Sequence, residues 1–279
     1  MAQHVSLRQV RESPNRNDIF SILNEYLQPD NPTSAAKAAA AIAALPADPS
    51  DTEKTWDEGF FWNFWKDIIQ VAEQLPHDHP GQDKIVAFLR ELTLLPDTGV
   101  TVWDHRVWSG LPILGAAIRE HLNGPRTSSS EDEQSQINQQ WVSFHAFEAR
   151  LVHTGVSHSE TTAIWMLRTA LEEEIVTDNT KGFDRDLMTA AVHIIYAGPV
   201  LVNLLAARPD PALDASEQRV LRGGALFHGR SGLVRERWDF WTARFRELAG
   251  KTTMEEAKAL ALRAARLMEV WTQNRLKSG

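Results

Sequence analysis

The histidines, carboxylates and amides capable of chemistry fall in a few short stretches. PHDHPGQ, Pro76 to Gln82, sets His77, Asp78 and His79 between two prolines. A helical metal pair places its ligands three or four residues apart, as in H-E-x-x-H. His77 and His79 are only two apart, in a segment that prolines hold extended, so their rings tend to opposite sides. The stretch is therefore expected to be a corner, in which Leu75 ends one helix and Asp78 or His79 caps the next. A second set lies in DLMTAAVHIIYAGPVLVNLLAAR, Asp186 to Arg208, where His193, Tyr196 and Asn203 follow at steps of three and seven and can share one stripe of a helix. In so apolar a helix these groups must find partners or face a wet cavity. They are the expected catalytic donors, with a buried structural network as the alternative. The third set is on Ser135 to Thr154, where Glu148 falls on the face made by Ile137, Trp141, Phe144 and Leu151, and His145 borders it. A carboxylate there needs a cation, for which His145, Arg150 and Arg168 are available. Lining a cavity, it would act as acid or base.

The elements that position these residues are helices. Apolar residues recur at three- and four-residue steps from Asp18–Leu27 through to Met254–Arg275, and Gly and Pro stand where helices should stop. No alternating β-branched run is present, so no sheet is expected. Asp186 to Arg208 is apolar nearly all round and is expected to be the central helix. Pro199 donates no hydrogen bond, and its ring presses on the Ile195 carbonyl, which predicts a kink. Pro125 to Ser135, PRTSSSEDEQS, is polar and reads as a mobile loop. The fold expected is all-α: one domain over residues 1–279, a multi-helix bundle of about ten helices around a kinked central helix.

Composition excludes several functions. The net charge is −8 and the pI about 5.7, without the basic stripe of a nucleic-acid surface. No apolar run reaches the roughly 18 residues of a membrane span. The N-terminus lacks the apolar centre of a signal peptide, so a cytoplasmic protein is expected. Without cysteine there is no thiolate nucleophile and no Cys-ligated metal. Tryptophan is abundant, 10 residues against two tyrosines. Trp62 and Trp65, joined by Trp141, Phe144, His145, Glu148 and Trp165, are the expected walls of a substrate pocket. The alternative is that the aromatic stripes are core.

NDIFSILNE, Asn17 to Glu25, matches the spacing of the second metal motif of class I terpene cyclases, with Asn17, Ser21 and Glu25 on one face. It precedes the bundle helices and has no DDxxD partner, and an N-cap at Asn15 or Asn17 explains the same letters. PHDHPGQDKIVAFLREL, VWSGLPILGAAIRE, WVSFHAFEARLVHTGV and GLVRERWDFWTARFREL resemble landmarks of the OpdG-like proteins of filamentous fungi, a family of unknown function. The resemblance implies an all-helical fungal protein without cofactor, some relatives being encoded among secondary-metabolite genes, and it transfers no catalytic residue. The expected function is a cofactor-independent enzyme that shapes a bulky apolar substrate, polyene-like or terpenoid, for cyclisation or isomerisation, including Diels-Alder-type cycloaddition. No metal is expected. A noncatalytic binding or scaffold protein and a Mg-dependent class I terpene cyclase-like enzyme are the alternatives.

Overall fold

A computed structural model describes residues 5–8, 17–45, 56–175 and 180–276. The chain groups into two compact units, Met1–Arg126 and Thr127–Gly279. Both are built on helices, and the all-α expectation holds.

The first unit carries α1 (Asn17–Leu27), α2 (Ala35–Ala44), α3 (Glu58–Gln74), α4 (Pro80–Thr93), a two-stranded ribbon of β1 (Thr101–Val102) and β2 (His105–Arg106), and α5 (Leu114–His121). Side chains start the helices: Ser34 Oγ accepts from the Lys37 amide, and Asp57 Oδ1 from that of Phe60 at 2.7 Å. The core of this unit is aromatic. Phe60, Phe61 and Phe64 of α3 set their rings at steep angles against Trp108, with centroids 5.6–6.1 Å away. Trp65 is buried beside them and donates its indole N–H to the Pro112 carbonyl at 2.5 Å.

PHDHPGQ makes the corner between α3 and α4. His79 is the N-cap, its Nδ1 accepting from the Gly81 amide at 3.0 Å, and Pro80 opens α4. The buried Gln82 reaches back and donates its Nε2 to the Ala72 and Leu75 carbonyls, both at 3.0 Å, which locks the end of α3 onto the start of α4. A Cβ on Gly81 would lie 2.9 Å from His79 Nδ1 and from Leu75 Cδ1, so any larger residue would have to displace the capping imidazole and the Leu75 methyl. On α1, Ser21 and Glu25 are exposed, whereas Asn15 and the Asn17 side chain lie outside the described residues.

The short ribbon is a departure from expectation. Its turn residues, Trp103 and Asp104, take φ of 50° and 62°, as a two-residue hairpin turn demands. Two-residue strands show no periodicity, and the turn lacks the usual Asn-Gly signal.

The second unit carries α6 (Glu131–His153), α7 (Glu160–Leu171), α8 (Thr180–Ala207), α9 (Ala215–Val220), α10 (Arg235–Ala249) and α11 (Glu255–Trp271), which ends in a π-helical turn (Thr272–Leu276). The polar run expected to be loop as far as Ser135 already belongs to α6 from Glu131. Ser130 caps it, and three acidic residues in its first turn complement the positive end of the helix dipole. Low apolar content hid this helix end.

α8 is the central helix, packed by α6, α7, α10 and α11. By length and composition it is apolar enough to cross a membrane, yet Leu187, Ala190, Ala191, Val192, Ile194 and Leu201 are fully buried against the surrounding helices, as in a core helix. Pro199 stands inside it, and the helix continues to Ala207. Gly198 is small for a reason: a Cβ there would meet Trp271 Cζ3 at 2.2 Å, so the bare backbone seats the indole at the end of α11.

One buried ion pair ties α7 to α10. Arg237, fully buried, donates from Nε to Glu172 Oε1 at 2.6 Å and from a terminal nitrogen to Oε2 at 3.1 Å. Its remaining donors reach the carbonyls of Leu221, Arg222 and Gly232. The carboxylate in turn accepts from Trp241 Nε1 at 2.6 Å and from the Gly224 amide at 2.7 Å. Removing one partner strands the other charge. Arg237→Ala should therefore lower the unfolding free energy in urea by about 3 to 5 kcal/mol. Arg237→Lys should recover only part of it, since an ammonium lacks the planar fork. A lysine variant as stable as the parent would refute this role for the guanidinium.

Candidate functional site

From Trp141 to Val152 every residue of α6 is buried, so this stretch has no solvent face on which to place polar groups. It nonetheless holds His145 and Glu148, three residues apart and hence on one face. α8 brings His193 against them. His145 Nδ1 lies 3.0 Å from His193 Nε2, and His193 Nδ1 lies 3.5 Å from Glu148 Oε2. The surroundings are aromatic. The ring centroids of Trp141 and Phe144 stand 4.6 and 5.1 Å from that of His145, both in edge contact.

Burial sets the charge state. It pushes the Glu148 carboxyl up to about 8, an effect that the neighbouring Glu160 charge adds to and the Thr162 hydroxyl opposes. It pushes His193 down to about 3. At neutral pH both are uncharged, so their contact is a dipolar one and no ion pair. Neither oxygen of Glu148 makes a well-formed hydrogen bond among the described residues, and neither does His193 Nδ1. The Thr162 hydroxyl, 2.9 Å from Ser159 Oγ, is also close enough to Glu148 to lower its pKa. Polar atoms left in this state cost about 1 to 3 kcal/mol each.

The structure thus gathers His145, Glu148 and His193, with Trp141 and Phe144 around them. It separates the other two members of the α8 stripe. Tyr196 is half-buried beneath the Arg150 guanidinium, 3.5 Å above its ring, and Asn203 is exposed and accepts a hydrogen bond from Arg275. Steps of three and seven do keep one angular face, but ten residues of helix rise about 15 Å, which carries the stripe from the interior to the surface. Of the cations available to Glu148, Arg150 also donates to the Ala146 carbonyl, and Arg168 reaches the Arg222 carbonyl. Trp165 is half-buried and donates to the Val220 carbonyl at 3.2 Å. Trp62 and Trp65 belong to the first unit, where Trp65 is core and Trp62 is half-buried, donating to Glu58 at 3.1 Å with its ring edge-on to Trp103. Glu172 and Arg237 were not singled out in the sequence. The available signal is an arginine one turn before Trp241, on the face that Trp241 and Phe245 continue.

The Glu148 carboxyl has a measurable signature. A carboxyl whose folded pKa lies above its unfolded one is a stabilising proton site at low pH, and that contribution is lost as pH rises from about 4.5 through about 8. The opposite cost of charging His193 appears only as pH falls below 6.5 toward 3. In chelator-containing buffer between pH 6.5 and 8, the stability of the parent should decline relative to Glu148→Gln, by up to about 1.4 kcal/mol per pH unit. Parallel urea-denaturation profiles for the two proteins would rule this out.

Comparison with known proteins yields one result. A family model described as a protein of unknown function (DUF3632) matches residues 65–245, well over half of the 279-residue chain. No curated protein and no solved structure matches it. The matched span contains the PHDHPGQ corner, all three residues of the buried cluster, and Glu172 with Arg237. The chain belongs to the DUF3632 family.

Proposed function

We propose that this protein is an enzyme that cyclises or isomerises a bulky apolar substrate, with His145, Glu148 and His193 as the groups that meet its reacting atoms. The observation that carries this reading is the unmet hydrogen-bonding capacity of Glu148 and His193, both buried within the second unit. A core selected for stability alone gains from apolar residues of the same volume at such positions. Polar groups kept there at a cost are the mark of a working site. Trp141 and Phe144 supply apolar wall, and a donor aimed at a substrate carbonyl from a dry wall stabilises developing charge by a few kcal/mol. Holding a flexible chain folded supplies the rest. The resemblance to OpdG-like proteins supports a fungal secondary-metabolite setting. The rival reading, a noncatalytic binding or scaffold protein, is favoured by one observation: burial is complete not only at Trp65, Trp238 and Trp241 but also at Phe144, His145 and Glu148.

The two readings separate by metabolite profiling. A source strain whose own copy carries Glu148→Gln should accumulate an apolar precursor isomeric with the product of the parent strain, because cyclisation and isomerisation conserve mass. Trp141→Ala should do so more weakly. Identical profiles in parent and Glu148→Gln strains would refute the enzyme reading in favour of the noncatalytic one.

A further inference from the structure

We propose that His145, Glu148 and His193 form a binding site for one divalent transition-metal ion of the Zn²⁺ or Fe²⁺ kind. The inference rests on the reading that this cluster is the working centre, and it names the cofactor of that centre. It departs from the expectation of a metal-free protein.

Convergence is the first ground. One ligand atom from each of the three side chains lies within 4.8 Å of the other two. Ligand atoms held at 2.0–2.2 Å from one ion stand roughly 3 to 4 Å apart. His145 Nδ1 and His193 Nε2, 3.0 Å apart, already have this spacing, while Glu148 Oε2 stands 3.5 Å from the other ring nitrogen, His193 Nδ1, and must swing toward the pair to complete the set. Rigidity is the second. His145 and Glu148 sit one turn apart on α6, His193 on α8, and both helices are buried along this stretch, so the ligands need no loop to order on binding.

The third ground is unmet capacity. Both Glu148 oxygens and His193 Nδ1 lack a well-formed hydrogen bond among the described residues, and coordination would satisfy the carboxylate directly. Arg150, the cation nearest in sequence, is engaged over the Tyr196 ring and with the Ala146 carbonyl. The donor set then selects the metal. Two imidazoles and one carboxylate suit Zn²⁺ or Fe²⁺, whereas Mg²⁺ and Ca²⁺ seek oxygen ligands and retain water, which the edges of Trp141 and Phe144 help to exclude. Three protein ligands also leave a coordination position open, where an ion polarises a substrate carbonyl as a Lewis acid.

Because the site is closed to solvent, the test loads it during folding. The full chain is refolded from denaturant with Zn²⁺ or Co²⁺, excess ion is removed by gel filtration, and the metal content is measured beside the visible absorption of the Co²⁺ form. The parent and His77→Asn should each retain one ion per chain and melt at a higher temperature than the chelator-treated protein. His193→Asn and Glu148→Gln should bind at least about 100-fold more weakly, since even loss of an outer partner costs 10- to 100-fold. If His193→Asn fails to fold by far-UV circular dichroism, the isosteric Glu148→Gln carries the comparison. A parent that retains no ion overturns the proposal. So does an ion that persists in Glu148→Gln and disappears in His77→Asn, which would move the site to the corner. The proposed function fails separately: a metal-free parent with a changed Glu148→Gln metabolite profile removes the ion and keeps the enzyme, and one bound ion with an unchanged profile does the reverse.

Discussion

The second unit depends on Arg237 meeting Glu172. Taking both charges out of water is costly, and attraction between them offsets this only when every remaining donor and acceptor is also used. Here they are. The guanidinium bonds to both carboxylate oxygens and to three carbonyls of residues 221–232, while the carboxylate also takes the Trp241 indole and the Gly224 amide. A segment without regular structure between α9 and α10 is thereby fixed to the end of α7 by polar bonds to two fully buried charges. Because α7 and α10 both pack on α8, the pair also fixes the frame in which His193 is presented to α6.

Two carboxylates of this unit, Glu148 and Glu172, are therefore equally buried and opposite in circumstance. Glu172 is surrounded by donors, and its charge is part of the architecture. Glu148 has none of good geometry, and burial holds it in the neutral form. The fold is evidently able to satisfy a buried carboxylate completely. Its leaving another unsatisfied, one helix turn from one histidine and across from a second, is what marks the α6 and α8 contact as a place for something other than the chain itself.

Most of the architecture is legible in the sequence because three- and four-residue spacing survives in every long helix, and Gly, Pro and Ser or Asp caps mark the ends. The central position of α8 follows from its being apolar all round. The ribbon at Thr101–Arg106 was illegible, since strands of two residues have no period, and the start of α6 was obscured by its acidic first turn. The site was half legible. Glu148 and His145 stand out as polar letters on an apolar face, and His193 as one in an apolar helix, yet nothing in one sequence says which turn of α8 lies against which turn of α6. Angular spacing groups His193 with Asn203, and only the packing shows that this face of α8 is buried at the first and open to solvent at the second, while Val202 and Leu205 beside Asn203 stay in the core.

Gly198 and Trp271 carry a consequence for how such sequences can vary. The indole occupies the space where a side chain at position 198 would begin, so the two positions share one volume. A homologue with alanine or anything larger at 198 must carry a smaller residue at 271 or turn that ring outward. The pair is expected to drift together through the family, a record in the alignment of how closely the last helix lies along the central one.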